Sequence, residues 1–270
     1  MLKKLLKHEF RATARIMLPL YIVLLGASLY GRISVGFLND NARRIVQWLS
    51  GLGVFVFVVS IIGVTLMSVI MMISRFYKNL MTDEGYLTLT LPVTTHELII
   101  SKIITSIVWF IATAIADIAA LMIVFADKKF VAGFARIIQE LFGIVFELTA
   151  LEFTNYMFYA IELVCIAVFA MTSVCLIIYA AIAIGHSASN HKVLLSFAVY
   201  FGINFALQTL GIIALATITG PAFEIYLFAG LSPLALIHAV FCVIIGAEII
   251  MSVVFYFITN AMLKNHLNLG

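Results

Sequence analysis

GLGVFVFVVSIIGVTLMSVIMMIS, residues 51–74, carries no Asp, Glu, Lys or Arg. A helix needs about 20 mostly apolar residues to cross the hydrocarbon layer of a bilayer. This stretch is long enough, and it is apolar on every face rather than on one stripe, as buried or membrane-spanning helices are. Window reasoning finds five more such stretches, at about 16–36, 102–126, 155–184, 193–218 and 234–261. The fold class that follows is an all-α integral membrane protein with six transmembrane helices, forming a single transmembrane domain over residues 1–270.

Composition excludes a water-soluble alternative. Hydrophobic residues make up 64% of the 270 residues and charged residues 11%, against about 45–50% and about 25% in soluble proteins. Mean hydropathy is +1.17, which leaves too little polar surface to coat a soluble core. Disorder, a disulfide-stapled secreted domain and nucleic-acid binding fall with it. Cys165, Cys175 and Cys242 all lie in apolar runs and read as small hydrophobes, not as a disulfide framework.

The cations orient the chain. Lys3, Lys4, Lys7, Arg11, Arg15, Arg75, Lys78, Lys102, Lys192 and Lys264 fall on one side of the six spans. Arg32, Arg43, Arg44, Lys128, Lys129 and Arg136 fall on the other, so all 16 divide as 10 against 6. The richer side is expected to be cytoplasmic, which puts both termini inside. Arg32 then snorkels to the outer end of the first span, and the fourth span, longer than required, tilts or extends past the bilayer.

Two amphipathic segments flank this core. In MLKKLLKHEFRATAR, residues 1–15, Lys3, Lys7, Arg11 and Arg15 recur every fourth residue, opposite Leu2, Leu5, Leu6 and Phe10. The segment lacks a small-residue cleavage site and reads as a helix along an anionic leaflet, not as a cleavable signal. It is either a plain anchor or a strut that also touches a cytoplasmic partner. Residues 127–154 repeat the theme with Phe130, Phe134, Ile137, Ile138, Leu141 and Phe142 at helical spacing, punctuated by Arg136, Glu140, Glu147 and Glu152. On the assigned orientation this insert rests on the outer leaflet, or acts as a lid or substrate-contact element.

Chemistry-bearing motifs are few. There is no G-x-x-x-x-G-K-[ST] loop, no His-Glu-x-x-His, no cysteine pair at zinc spacing and no G-x-S-x-G elbow. The expectation is a non-enzymatic chain with no cofactor or metal of its own. His186 and His191 sit in a short polar turn, GHSASNHK, that reads as solvated loop. The functional candidates are polar groups inside spans, because burying a charge in lipid is costly. Asp117 lies in the third span, Glu162 in the fourth and Glu248 in the sixth. Glu248 is near mid-membrane and the other two lie nearer the outer face, with no Lys or Arg at matching depth. They line a polar path, carry protons or lock helices together. In the fifth span, Asn204, Gln208 and Gly211 share one face, which packs on a helix, on a second subunit or along a water-filled path.

Residues 75–102, RFYKNLMTDEGYLTLTLPVTTHELIISK, form the loop after the second span and are cytoplasmic on the charge argument. Leu87, Leu89 and Leu91 are apolar outside the bilayer, Pro92 stops the element, and Thr94 with Glu97 makes a capping box that starts the third span. Exposed apolar residues in a loop point to docking on another protein.

Here the chain resembles the permease subunits of bacterial ATP-binding cassette exporters of the type-2, six-span class. The matching residues are Glu84-Gly85, Leu87, Leu89 and Leu91, Pro92-Val93-Thr94, and Lys102. The resemblance implies a coupling helix formed by Asp83, Glu84, Gly85, Tyr86, Leu87, Leu89 and Leu91 up to Pro92, seated in a separate ATPase subunit that binds ATP and Mg. It implies that the N-terminal segment is a connecting helix against the same ATPase. Residues TGPAFEIYLFAGLSPL, with Pro221 and Pro233, would be the outer re-entrant element, and a second permease chain, identical or sister, would complete the path. Asn204 and Gln208 would border that path. The function implied is ATP-driven export across the bacterial cytoplasmic membrane. An amphiphilic peptide is the preferred substrate, given the aromatic and acidic outer face (Glu140, Glu147, Glu152, Glu224); lipids, drugs and sodium ions stay open. The alternatives are an ion- or proton-coupled secondary transporter using Asp117, Glu162 and Glu248, and an intramembrane hydrolase. The first lacks an evident repeat between its three-span halves. For the second, the three acids sit in three different helices, and no span carries a histidine near them except His238.

Overall fold

The computed structural model describes residues 2–36, 44–82, 93–147, 149–188, 191–218 and 232–265. All regular structure among them is helical: α1 Leu2–Gly36, α2 Arg44–Met81, α3 Thr95–Phe125, α4 Lys128–Glu147, α5 Ala150–His186, α6 Lys192–Ile218 and α7 Pro233–Asn265. Every helix but α4 is long and apolar enough to cross a membrane, the layout of a multi-pass membrane protein. The apolar stretches of the sequence fall in these helices to within a residue; α2 and α5 run past theirs at both ends, α1 and α3 at the N-terminal end, α7 mainly at the C-terminal end, and α6 matches its stretch. At 35 residues, α1 rises about 52 Å, well beyond a hydrocarbon layer of about 30 Å.

The N-terminal amphipathic segment and the first span are one helix. Pro19 stands inside it without ending it. Its buried residues Glu9, Thr13, Met17, Leu24, Ala27, Ser28, Gly31 and Ser34 are linked by steps of three, four or seven, so a single stripe runs from Glu9 to Ser34.

The ends of the helices follow local chemistry. α3 begins with the reciprocal capping box expected from sequence: the Glu97 N–H donates to Thr94 Oγ1 and the Thr94 N–H to Glu97 Oε2, each at 3.3 Å. A second box opens α5. The Thr149 N–H donates to Glu152 Oε2 at 3.0 Å and the Glu152 N–H to Thr149 Oγ1 at 3.4 Å. Glu152 is thus a capping residue. α7 starts at Pro233, which supplies no N–H in a turn where that group lacks an intrahelical acceptor anyway, while Ser232 Oγ accepts from the Ala235 N–H at 3.3 Å. The turn before α6 places His191 at φ 55°.

The chain divides into two compact units, Met1–Met72 with Ile104–Phe153 and Ile73–Ile103 with Thr154–Gly270. The first is built on α1, the N-terminal part of α2, the C-terminal part of α3, and α4. Its apolar core is Leu24, Phe57, Val64, Ala120 and Val124, with Leu20, Tyr21, Ile61 and Ala116 packed around it. Small residues bring α1 and α2 together: a Cβ on Gly31 would meet Phe57 Cβ at 3.1 Å, and one on Gly53 would overlap the Ser34 side chain.

The second unit centres on the C-terminal half of α5, where Cys175 to His186 are buried on all faces except at Ile184. Phe76 stacks on Tyr179 with ring centroids 4.0 Å apart, and Gly185 abuts Ser196 at the turn into α6. His186 is buried, hydrogen-bonded through Nδ1 to the Ile182 carbonyl oxygen at 3.2 Å and edge-on to Tyr77. It ends α5 inside the protein instead of lying in a solvated loop.

Candidate functional site

Among the described residues, one carboxylate–imidazole pair stands inside two apolar helices. Glu162 on α5 places both carboxylate oxygens against His238 Nδ1 on α7, at 2.9 and 3.0 Å. Which of the two atoms donates is set by the imidazole tautomer. The side chains are 16% and 25% exposed, so water competes weakly and each group offsets the desolvation of the other. Tyr159, three residues before Glu162 on the same face, stacks on the His238 ring with centroids 4.1 Å apart. Its hydroxyl donates to the Leu234 carbonyl at 2.9 Å, and Phe241 closes on its edge. The ring is therefore fixed by a stacking partner and a carboxylate, an arrangement suited to holding or passing a proton.

Farther along the same two helices, Ser173 Oγ lies 2.9 Å from Ser252 Oγ and 3.1 Å from the Glu248 carbonyl oxygen. Toward the C-terminal end of α7 the first turn of α3 is fastened to it. Thr95 Oγ1 donates to Asn260 Oδ1 at 3.1 Å, and His96 Nδ1 and the Tyr256 hydroxyl are 2.5 Å apart. These bonds lie on the buried stripe of α7, which includes Ser252, Phe255, Thr259, Asn260 and Leu263.

Asp117 belongs to the first unit. Thr65 Oγ1 on α2 donates to its Oδ2 at 3.0 Å, while Oδ1 is buried without a hydrogen-bond partner. One helical turn back, Thr113 shares a 2.8 Å hydrogen bond with Tyr21 on α1, and Trp109 Nε1 donates to Thr13 Oγ1 at 2.7 Å. The result is a polar seam joining α1 and α3, with Asp117 and Thr65 extending it to α2.

The remaining candidates fall as follows. Asn204 turns its amide to its own helix, donating to the Tyr200 carbonyl at 2.8 Å. Gln208 is exposed, and no residue of α6 between Lys192 and Ala214 is buried. Lys102 is buried, at 3% exposure. Asp83, Glu84, Gly85, Tyr86, Leu87, Leu89, Leu91 and Pro92 lie outside the described residues, as does the segment 219–231 with Pro221. The structure pairs Glu162 with His238, which sequence reasoning noted only as the one histidine in a span near the acids. A usable signal was there, since Glu162 lies in the N-terminal part of its span and His238 in the N-terminal part of its own, and on the orientation expected from the cations both ends face the same side. Tyr159 and the Ser173–Ser252 contact had no such signal. Among the described residues no group of three or more His, Cys, Asp or Glu could hold a metal ion. No family model, no curated protein and no solved structure matches this chain.

Proposed function

We propose that this chain is the transmembrane permease subunit of an ATP-binding cassette exporter of the type-2 class, moving an amphiphilic substrate with ATP hydrolysed by a separate subunit. The observation that carries the reading is the clasp at the start of α3. Immediately after the acidic-Gly, Leu-rich loop, a reciprocally capped helix begins at Thr95, and its first two residues bond to α7 through Asn260 and Tyr256. A displacement of residues 83–91 by a docked ATPase would therefore move a stiff helix end and a second helix with it, as alternating access by rigid-body rocking requires. The N-terminal half of α1 serves as the connecting helix in this reading. A second permease chain covers α6, whose exposed Gln208 has no good solvent in lipid.

The test is deletion of residues 83–91, alongside Glu84→Arg. Both variants are expected to insert and remain helical but to lose a co-purifying P-loop ATPase. Retention of that ATPase by both would remove the coupling-loop assignment. One observation favours a second reading, proton-coupled transport without a partner: the Glu162–His238 pair sits within two apolar helices. Uptake driven by a proton gradient in vesicles holding this chain alone would select it.

A further inference from the structure

Among the described helices α4 alone is too polar to span, and sequence leaves it two places, on the leaflet or over a path as a lid. We propose that α4 is an interfacial helix whose docking partner is the lipid leaflet itself, with the face of Phe130, Phe134, Ile137 and Ile138 immersed at the acyl boundary.

Three observations commit the face to lipid. First, α4 is tethered. Only Ala126 and Asp127 separate it from Phe125, the last residue of the apolar helix α3, so α4 starts where a span ends. Second, the apolar surface is continuous across that link. Phe125 and Phe130 have ring centroids 6.4 Å apart, and Phe130 and Phe134 stack at 6.3 Å with an 8° interplanar angle. Whatever surrounds the exposed end of α3 also surrounds the first turns of α4. Third, Arg32, near the end of α1, and Asp127 line one shallow groove with Val131, Ala132 and Ala135 of α4. Charged residues at the ends of two apolar helices thus line one groove at the level of α4, as residues at the headgroup level do.

The pattern along the helix agrees. Phe130, Phe134, Ile137 and Ile138 are exposed, and on a 3.6-residue period they fall on one side. Arg136 and Glu140, four apart, fall on another side. Both signs of charge occur there, so burial of apolar area, not attraction to anionic lipid, supplies most of the binding.

The experiment uses the full chain in liposomes, with Cys165, Cys175 and Cys242 replaced by alanine and a nitroxide placed through Phe134→Cys, Ile137→Cys, Arg136→Cys or Glu140→Cys. Power-saturation spectra compare collisions with oxygen, which concentrates in lipid, and with a water-soluble nickel chelate. The ratio of oxygen to nickel accessibility is expected to exceed one at 134 and 137 and to fall below one at 136 and 140. Labels at 134 and 137 shielded from both reagents would show a protein-covered lid, and labels open to nickel would show a helix in water. Either result overturns the proposal. Because a spin label reads each position separately, a local failure at one site is checked by its neighbour on the same face.

Discussion

The Glu162 carboxylate straddles His238 Nδ1, 2.9 Å from one oxygen and 3.0 Å from the other, and so ties α5 to α7 within their apolar lengths. Removing one member leaves the other partly buried without its counter-group, whereas removing both leaves an apolar contact. Glu162→Leu and His238→Leu are each expected to lower stability by about 1–3 kcal/mol. The double substitution should recover a substantial part of that loss. A double-mutant cycle on thermal midpoints in detergent measures the coupling; additive losses would show that the pair is not a linked unit.

A second expectation concerns the caps. Thr94→Ala removes the acceptor for the Glu97 N–H and should cost about 1 kcal/mol. The cost should appear as faster hydrogen exchange in the first turn of α3 and not elsewhere. Thr149→Ala should do the same at α5. Unchanged exchange at residues 95–98 after Thr94→Ala would mean that tertiary contacts, including Thr95–Asn260 and His96–Tyr256, hold the helix start without the cap.

Gly53 makes a sharper steric prediction. A Cβ there would overlap Ser34 and lie 3.1 Å from Tyr30 Cε1, and Ser34 is buried. Gly53→Ala is expected to destabilise the first unit by about 1–3 kcal/mol through overpacking. Ser34→Gly in the same chain should restore most of it. Failure of that rescue would place the strain in the backbone of α2 instead of at the α1 contact.

The polar seam of the first unit gives a fourth. Tyr21→Phe removes the partner of Thr113, and Trp109→Phe removes the donor to Thr13; each should cost about 1 kcal/mol. Thermal scans of the two single variants and the double variant decide whether the bonds act as one network, since a network gives non-additive losses.

Much of this architecture is legible in the sequence because it is local. An uncharged run such as 51–74 reads as a helix in lipid or a core, and Thr94 with Glu97 states the cap of α3 in four residues. The same four-residue pattern at Thr149–Glu152 opens α5, and it hides because Glu152 also punctuates an amphipathic stretch where acids read as surface. α1 runs unbroken from Leu2 to Gly36 although a change from amphipathic to fully apolar composition suggests two elements. Helical geometry is indifferent to that change, and the buried stripe is what persists. The Glu162–His238 pair and the burial of His186 depend on which helices become neighbours. That is fixed by packing between residues more than 70 apart in the chain for Glu162 and His238, and over a hundred apart for Tyr77 and His186.

Purification of the tagged chain from its native membranes in gentle detergent, with mass spectrometry of what remains bound, tests the central claim most directly. The account predicts a stoichiometric P-loop ATPase that is lost when residues 83–91 are deleted. A clean preparation without any ATPase would contradict it and transfer the function to the Glu162–His238 pair and an ion-coupled mechanism.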